Sequence, residues 1–378
     1  MKKSLIALAV LGAFSGAAFA GGNNVQLYGV IDLGVTHFTG LSNGTANPVS
    51  STGLSSGVQS GSRIGLKGTE DLGGGLSAMF DVETGFCAAG TSQGQLVGAT
   101  NTGSYCTGGP AGGFMQRQSY LGLTGNFGTA LAGRVYTGSF DNEANMDPFG
   151  YGLTGNIGTL ALAVPRVQQT LVYVTPDLSG FTGTAAYVLQ ATGTGTLPGT
   201  TAATQNVPRA LFVNGQYANG PVLVGASYTD ATNTVVDPVG GQNNGKSSLW
   251  QLFGSYDFGV AKVSGIYEHS SGDYNTLSQK FYMLGVTVPV GPGAILASYN
   301  HRDTGAINGQ AKQYAIGYTY SLSKQTNLYA SYAHLTNGAS TGVAGTGTAF
   351  AVGDSTDGFS GVTGQSSSGV AVGIRHLF

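Results

Sequence analysis

The stretch Gln313-Tyr314-Ala315-Ile316-Gly317-Tyr318-Thr319-Tyr320-Ser321 decides the fold class. Read in twos, Tyr314, Ile316, Tyr318 and Tyr320 fall on one side; Gln313, Ala315, Gly317, Thr319 and Ser321 fall on the other. A period of two belongs to a β-strand with unlike faces. The pattern recurs at Leu328, Ala330 and Tyr332, opposite Tyr329 and Ser331. It recurs again where Ala261, Val263, Gly265 and Tyr267 oppose Lys262, Ser264 and Glu268. In each case one face is apolar and the other small or polar.

Working outward, about sixteen such segments can be counted. They begin near Val25, Ser62, Leu76, Arg117, Thr129, Val167, Phe181, Ala210, Val222, Ser248, Val260, Gln279, Ala294, Lys312, Asn327 and Gly369. Their connections alternate in length. Asp71 to Gly74, Asn126 to Gly128, Asn219 to Pro221, Pro289 to Pro292 and Ser321 to Lys324 are short. Phe86 to Phe114, Gly138 to Arg166, Gln190 to Pro208, Ala231 to Ser247 and Thr336 to Ser366 are long and polar. Short turns at one end and long loops at the other describe an up-and-down antiparallel barrel.

Composition says which solvent surrounds it. Only 8% of residues are charged, against about 25% in soluble domains. The non-apolar faces hold Ser, Thr, Gly, Asn and Gln instead. Tyrosines such as Tyr228, Tyr256, Tyr267, Tyr282 and Tyr299 sit toward segment ends, as in the aromatic girdles of membrane barrels. In lipid every backbone N–H and C=O must pair within the protein, so the sheet must close. The 65 glycines lack a Gly-X-Y period and disfavour helices, and 41% hydrophobic residues exclude disorder. A net charge of −2 argues against a nucleic-acid partner.

Residues 1–20 read as a cleaved signal peptide. Lys2 and Lys3 are followed by an apolar run from Leu5 to Phe14 and by Ala18-Phe19-Ala20. Residues 21–378 then form a single barrel domain. Cys87 and Cys106 are the only cysteines. In an exported chain they are expected to form a disulfide, since two thiols without a nearby His make a poor metal site. No cofactor or metal is expected. The five histidines are scattered, no GxSxG elbow occurs, and nothing assembles an esterase-like Ser, His and Asp on the barrel.

Several ordered landmarks resemble one family. They are Tyr28-Gly29-Val30-Ile31-Asp32, Ser62-Arg63-Ile64-Gly65-Leu66-Lys67-Gly68, Arg117-Gln118-Ser119-Tyr120-Leu121-Gly122-Leu123 with Gly133-Arg134, Asn327 to Tyr332, and Gly373 to Phe378. Together they resemble the general diffusion porins of Gram-negative bacteria, of the beta-proteobacterial type. The resemblance implies a sixteen-stranded transmembrane β-barrel in the outer membrane, a homotrimer, and passage of ions and small hydrophilic solutes. It also implies contact with outer-membrane lipids including lipopolysaccharide, and insertion by the barrel-assembly machinery. The strand ending in Ile374, His376 and Phe378 would be the C-terminal assembly signal. A third loop, about Phe140 to Pro165, would fold into the pore. Its Pro148-Phe149-Gly150 resembles the tip of the family's constriction loop.

Selection in such a channel needs wall charges facing loop charges across the narrowest section. Arg63 and Lys67 share a phase opposite Ile64 and Leu66, so they are expected to face the lumen. Asp32 lies with Gln26 and Tyr28, opposite Leu27 and Ile31. Arg134 lies with Tyr136, opposite Leu131, Gly133 and Val135. Arg117 shares a phase with Leu121 and Leu123, so alternation leaves its side open; the resemblance favours the lumen. The expected constriction sets Arg63, Arg117 and Arg134 against Asp141, Glu143 and Asp147. Leu171-Val172-Tyr173 stands where the family pattern is Val-Arg-Tyr, which leaves the sign of selectivity open. A substrate-specific channel is the nearest alternative and a surface adhesin a more distant one. Tyr28, Tyr136 and Tyr329 face inward but do not form a continuous aromatic track.

Overall fold

A computed structural model of the chain describes residues 24–42, 48–89, 115–189, 191–193, 205–236, 242–272, 278–305, 309–339, 349–353 and 361–378. Among these residues eighteen strands form one antiparallel sheet. They are β1 (Asn24–Leu41), β2 (Val49–Ser56), β3 (Arg63–Gly73), β4 (Leu76–Gly85), β5 (Gln118–Gly125) and β6 (Gly128–Tyr136). β7 (Arg166–Val174), β8 (Phe181–Val188), β9 (Ala191–Gly193), β10 (Gln205–Asn219), β11 (Val222–Val236) and β12 (Gln242–Asp257) follow. β13 (Lys262–Gly272), β14 (Gln279–Val290), β15 (Gly293–Asp303), β16 (Gln310–Ser321), β17 (Thr326–Asn337) and β18 (Ser366–Leu377) complete it.

β2 and β9 are accessory. β2 pairs with the loop-side half of β1, and β9 with the start of β10. The other sixteen run in sequence order round the wall. The ring closes where β1 pairs with β3 on one side and β18 on the other. Gly29 N–H donates to the Phe378 carbonyl (3.0 Å) and Phe378 N–H donates back to Gly29 (3.1 Å), so the seam itself carries paired backbone groups. Each of the sixteen expected segments coincides with one of these strands. Two expectations change. The connection from Ala231 to Ser247 is mostly paired, with Val236 opposite Gln242. In β6, Leu131 is buried while Ala130 and Ala132 are exposed. From Ala130 to Ala132 the phase is therefore the reverse of the expected one, and the ladder with β7 shifts further on, between Gly133 and Val135. Gly133 (φ +146) sits at that shift, where a Cβ would strike the Ser119 carbonyl.

Alternation sorts the faces. Leu27, Ile31, Leu66, Leu121, Leu171, Val224, Leu252, Leu284, Ile316, Val372 and Ile374 are exposed on the outside. A ring of exposed apolar side chains with so few charges is stable against lipid, not water. Tyr173, Phe181, Tyr256, Phe258, Tyr320 and Phe378 mark the short-turn rim, and Tyr228, Tyr282, Tyr314 and Tyr332 lie toward the long loops.

Candidate functional site

Inside the barrel the third long connection leaves β6, turns in and lies on the wall. Thr137 caps a short helix, α1 (Gly138–Met146), by accepting the Phe140 N–H. Asn142 donates to Ser227 on β11 and Gln251 on β12, and Ser264 on β13 donates to the Met146 carbonyl. Pro148 and Phe149 sit against Gly285 on β14 and Gly317 on β16, where a Cβ would collide with their rings. Gln313 donates to the carbonyls of Gly155 and Asn156, and Ser331 on β17 accepts the Thr154 N–H. Arg302 on β15 donates to the carbonyls of Leu160 and Ala161. Met146, Phe149, Leu153, Ile157 and Leu160 are buried with Ile266, Phe281, Ala315 and Tyr329. Loop and wall thus share a small apolar core, which fixes the loop more firmly than polar contacts alone.

The loop acids have different settings. Asp147 is buried and accepts N–H bonds from Phe149, Tyr151 and Ile157, so it shapes the turn at Pro148-Phe149-Gly150. Burial still pushes its pKa up to about 6, against the pull of those donors. Glu143 is fully buried; it accepts from Ala163 N–H (2.8 Å) and Tyr151 Oη (3.0 Å) and meets Glu268 of β13. Burial first, and the neighbouring Glu268 carboxyl second, hold Glu143 well above the usual carboxylate range. Glu268 in turn accepts from Gln251 and from Leu162 N–H. Asp141, half-buried, lies within the field of Arg166.

The other arc of the wall carries the basic residues. Arg63 Nε lies 2.9 Å from Glu83, and Arg117 Nε binds the second oxygen of the same carboxylate. Arg117 also donates to Tyr136 Oη (2.7 Å), so it stands inside. β5 begins only at Gln118, so the alternation that left its side open does not extend to it. Lys67 is buried, its Nζ 5.1 Å from the Tyr28 ring centre, and it pairs in register with Asp81. Tyr28 Oη donates to both Asp81 and Glu83. Arg134 is half-buried and donates from Nε to the Gln116 carbonyl (2.6 Å).

Asp32 is fully buried. One oxygen accepts Tyr329 Oη (2.6 Å) and the other accepts the N–H groups of Gln59 and Ser60. It ties the segment after β2 to the wall. Cys87 lies just past β4 and is bound in a disulfide. Cys106 and the expected signal peptide lie outside the described residues. Ile374, His376 and Phe378 are exposed on the outer face, with His376 beside Thr326.

Asp81, Glu83, Arg166 and Glu268 were not singled out from sequence. The first two were legible. Met79, Asp81 and Glu83 form the inward phase against Phe80 and Val82, and the tight turn between β3 and β4 fixes their register. Glu268 was seen on the polar side of its strand, but only the loop gives it a partner.

A Gram-negative porin family profile matches residues 7–340. Outer membrane porin protein 32 of Delftia acidovorans is 35% identical, with all of both chains covered. An outer membrane porin protein of Bordetella pertussis is 31% identical, again over the whole of both. Among solved structures, an anion-selective porin from Comamonas acidovorans superposes with a TM-score of 0.74 at 29% identity, covering 94% of this chain and 100% of that one. OmpT of Vibrio cholerae, 18% identical with a TM-score of 0.63, shares the fold. A closed sixteen-stranded wall, a lipid-compatible outside and a charged inside therefore meet in a chain that belongs to the Gram-negative porin family, outer-membrane channels for passive diffusion.

Proposed function

We propose that passage is filtered where the third loop faces the wall of β3 to β7. Arg63, Lys67, Arg117 and Arg134 supply the basic side. Asp141 supplies the loop's acid toward the water, while Glu143 and Asp147 fasten the loop that carries it. The observation that carries this reading is the loop's attachment to the wall from β11 to β17, away from the strands that carry the basic residues. With basic groups in excess there, small anions are favoured over cations. The field across the gap orients polar solutes and obstructs apolar ones. No step of catalysis is assigned to any residue.

The same reading includes removal of residues 1–20 on export, assembly as a homotrimer, a Cys87–Cys106 disulfide, and recognition of the β18 end by the barrel-assembly machinery. It also includes contact with lipopolysaccharide in the outer leaflet. Trimeric protein in a planar bilayer should open ohmic, water-filled channels with a reversal potential on the anion side. Correctly folded trimer without conductance would overturn it.

A further inference from the structure

Five consecutive strands carry a basic residue at one equivalent place on the outer wall. On β13 it is His269, one outward position beyond Tyr267; on β14, Lys280 beyond Tyr282; on β15, His301 beyond Tyr299; on β16, Lys312 beyond Tyr314; on β17, His334 beyond Tyr332. In every case "beyond" means toward the long loops. Register makes neighbours of them: His269 stands opposite Lys280 and His301 opposite Lys312, while His334 stands opposite Tyr314. The tyrosine row beneath is continuous from β14 to β16, with Tyr282 and Tyr299 at 6.0 Å and Tyr299 and Tyr314 at 4.9 Å between ring centres. The His301 ring stacks on Tyr282 at 4.8 Å, and Trp250 lies against His269 at 5.7 Å. Lys280 and Lys312 are exposed. Among the described outward positions of these strands the acid is Asp303, opposite Lys280. On β3 and β4 the corresponding outward positions are Ile64 and Thr84, without charge.

Depth identifies the occupant. Girdle tyrosines sit at headgroup level, and two residues along a strand tilted by about 40° add roughly 5 Å of height. The basic row therefore lies at the phosphate layer of the leaflet on the long-loop side. Ammonium groups there gain from anionic lipid, and imidazoles add directional donors. We propose that His269, Lys280, His301, Lys312 and His334 form a binding site for the phosphate groups of a phosphorylated outer-leaflet glycolipid. This rests on the outer-membrane channel reading above and gives its lipid contact a place.

The test uses full-length trimer in phosphatidylcholine vesicles with and without diphosphoryl lipid A, comparing wild type with K280A/K312A and K280R/K312R. Wild type and the arginine variant should bind lipid A at least roughly tenfold more tightly than the alanine variant, with the first tenfold being about 1.4 kcal/mol. Millimolar inorganic phosphate should not displace it, since the vesicle presents the acyl chains as well. Equal binding by all three, or displacement by inorganic phosphate, overturns the site. Loss of trimer without loss of lipid binding also overturns it, because the row would then be a contact between copies. Should the alanine variant fail to fold, acetylation of wild-type Lys280 and Lys312 decides. Protection by diphosphoryl lipid A, but not by phosphatidylcholine alone, supports the site, and equal labelling refutes it. Conductance of the same samples reports on the channel separately.

Discussion

Arg63 and Glu83 meet on the lumen wall with Nε 2.9 Å from a carboxylate oxygen, and Arg117 holds the other oxygen of that carboxylate. One acid thus offsets two guanidiniums. Glu83→Gln should therefore move the reversal potential in a salt gradient further to the anion side. Arg63→Ala together with Arg134→Ala should move it toward cations. If neither moves it, the filter lies elsewhere.

Asp32 is a fastener for the segment after β2, not a mobile pore charge. Asp32→Ala leaves the Tyr329 hydroxyl and the N–H groups of Gln59 and Ser60 without their acceptor. The expected loss is about 3 kcal/mol, against about 1 kcal/mol for Tyr329→Phe. Unfolding midpoints in denaturant, with conductance measured in parallel, separate the two. Equal midpoints would dismiss the fastener.

Gly285 and Gly155 mark where loop and wall touch. A Cβ at Gly285 would collide with the Pro148 ring; at Gly155, with φ +92, it would meet the Ala315 and Ala333 methyls. Gly285→Val should lift the loop tip and widen the channel, giving a larger single-channel conductance. An unchanged or smaller value would mean that the tip does not set the narrowest section.

Loop docking should depend on pH through Glu143. Its folded pKa lies above the ordinary value of 4.5, because burial and the Glu268 carboxyl oppose the anion. The docked loop thus holds a proton that an undocked loop releases. Docking should be firmest below the ordinary carboxylate range and weaken as pH rises through the raised value. Amide exchange at Leu162 and Ala163 should be slower at acid pH, after correction for intrinsic rates. Glu143→Gln should flatten that dependence.

Mass mapping without reductant should find Cys87 joined to Cys106. Recovery of Cys106 as an alkylatable thiol would reject the pairing and send Cys87 to another partner.

The wall was readable because lipid and water impose opposite demands on alternate residues. Tyr314 and Gln313 announce their sides without any partner being known. The same rule placed Arg63 and Lys67. It failed at Leu131, where a ladder irregularity at Gly133 and Val135 interrupts the period, and at Arg117, which precedes its strand. The loop was less legible. Asp141, Glu143 and Asp147 look alike in sequence, yet Glu143 meets a carboxyl about 125 residues away, in a contact that only the inward fold creates. Local pattern reports the face of a strand; it does not report which distant strand a loop will rest on.

The seam between β1 and β18 gives the molecule an assembly order. Strands 24–41 and 366–377 can join only once everything between them exists, so the final ladder is also the most distant in sequence. Until it forms, two raw edges stand open, each able to pair with a neighbouring chain. An arrested or truncated intermediate should accordingly be sticky, whereas in the finished ring both of those edges are paired. Completion is the step that turns a hazard into an inert wall.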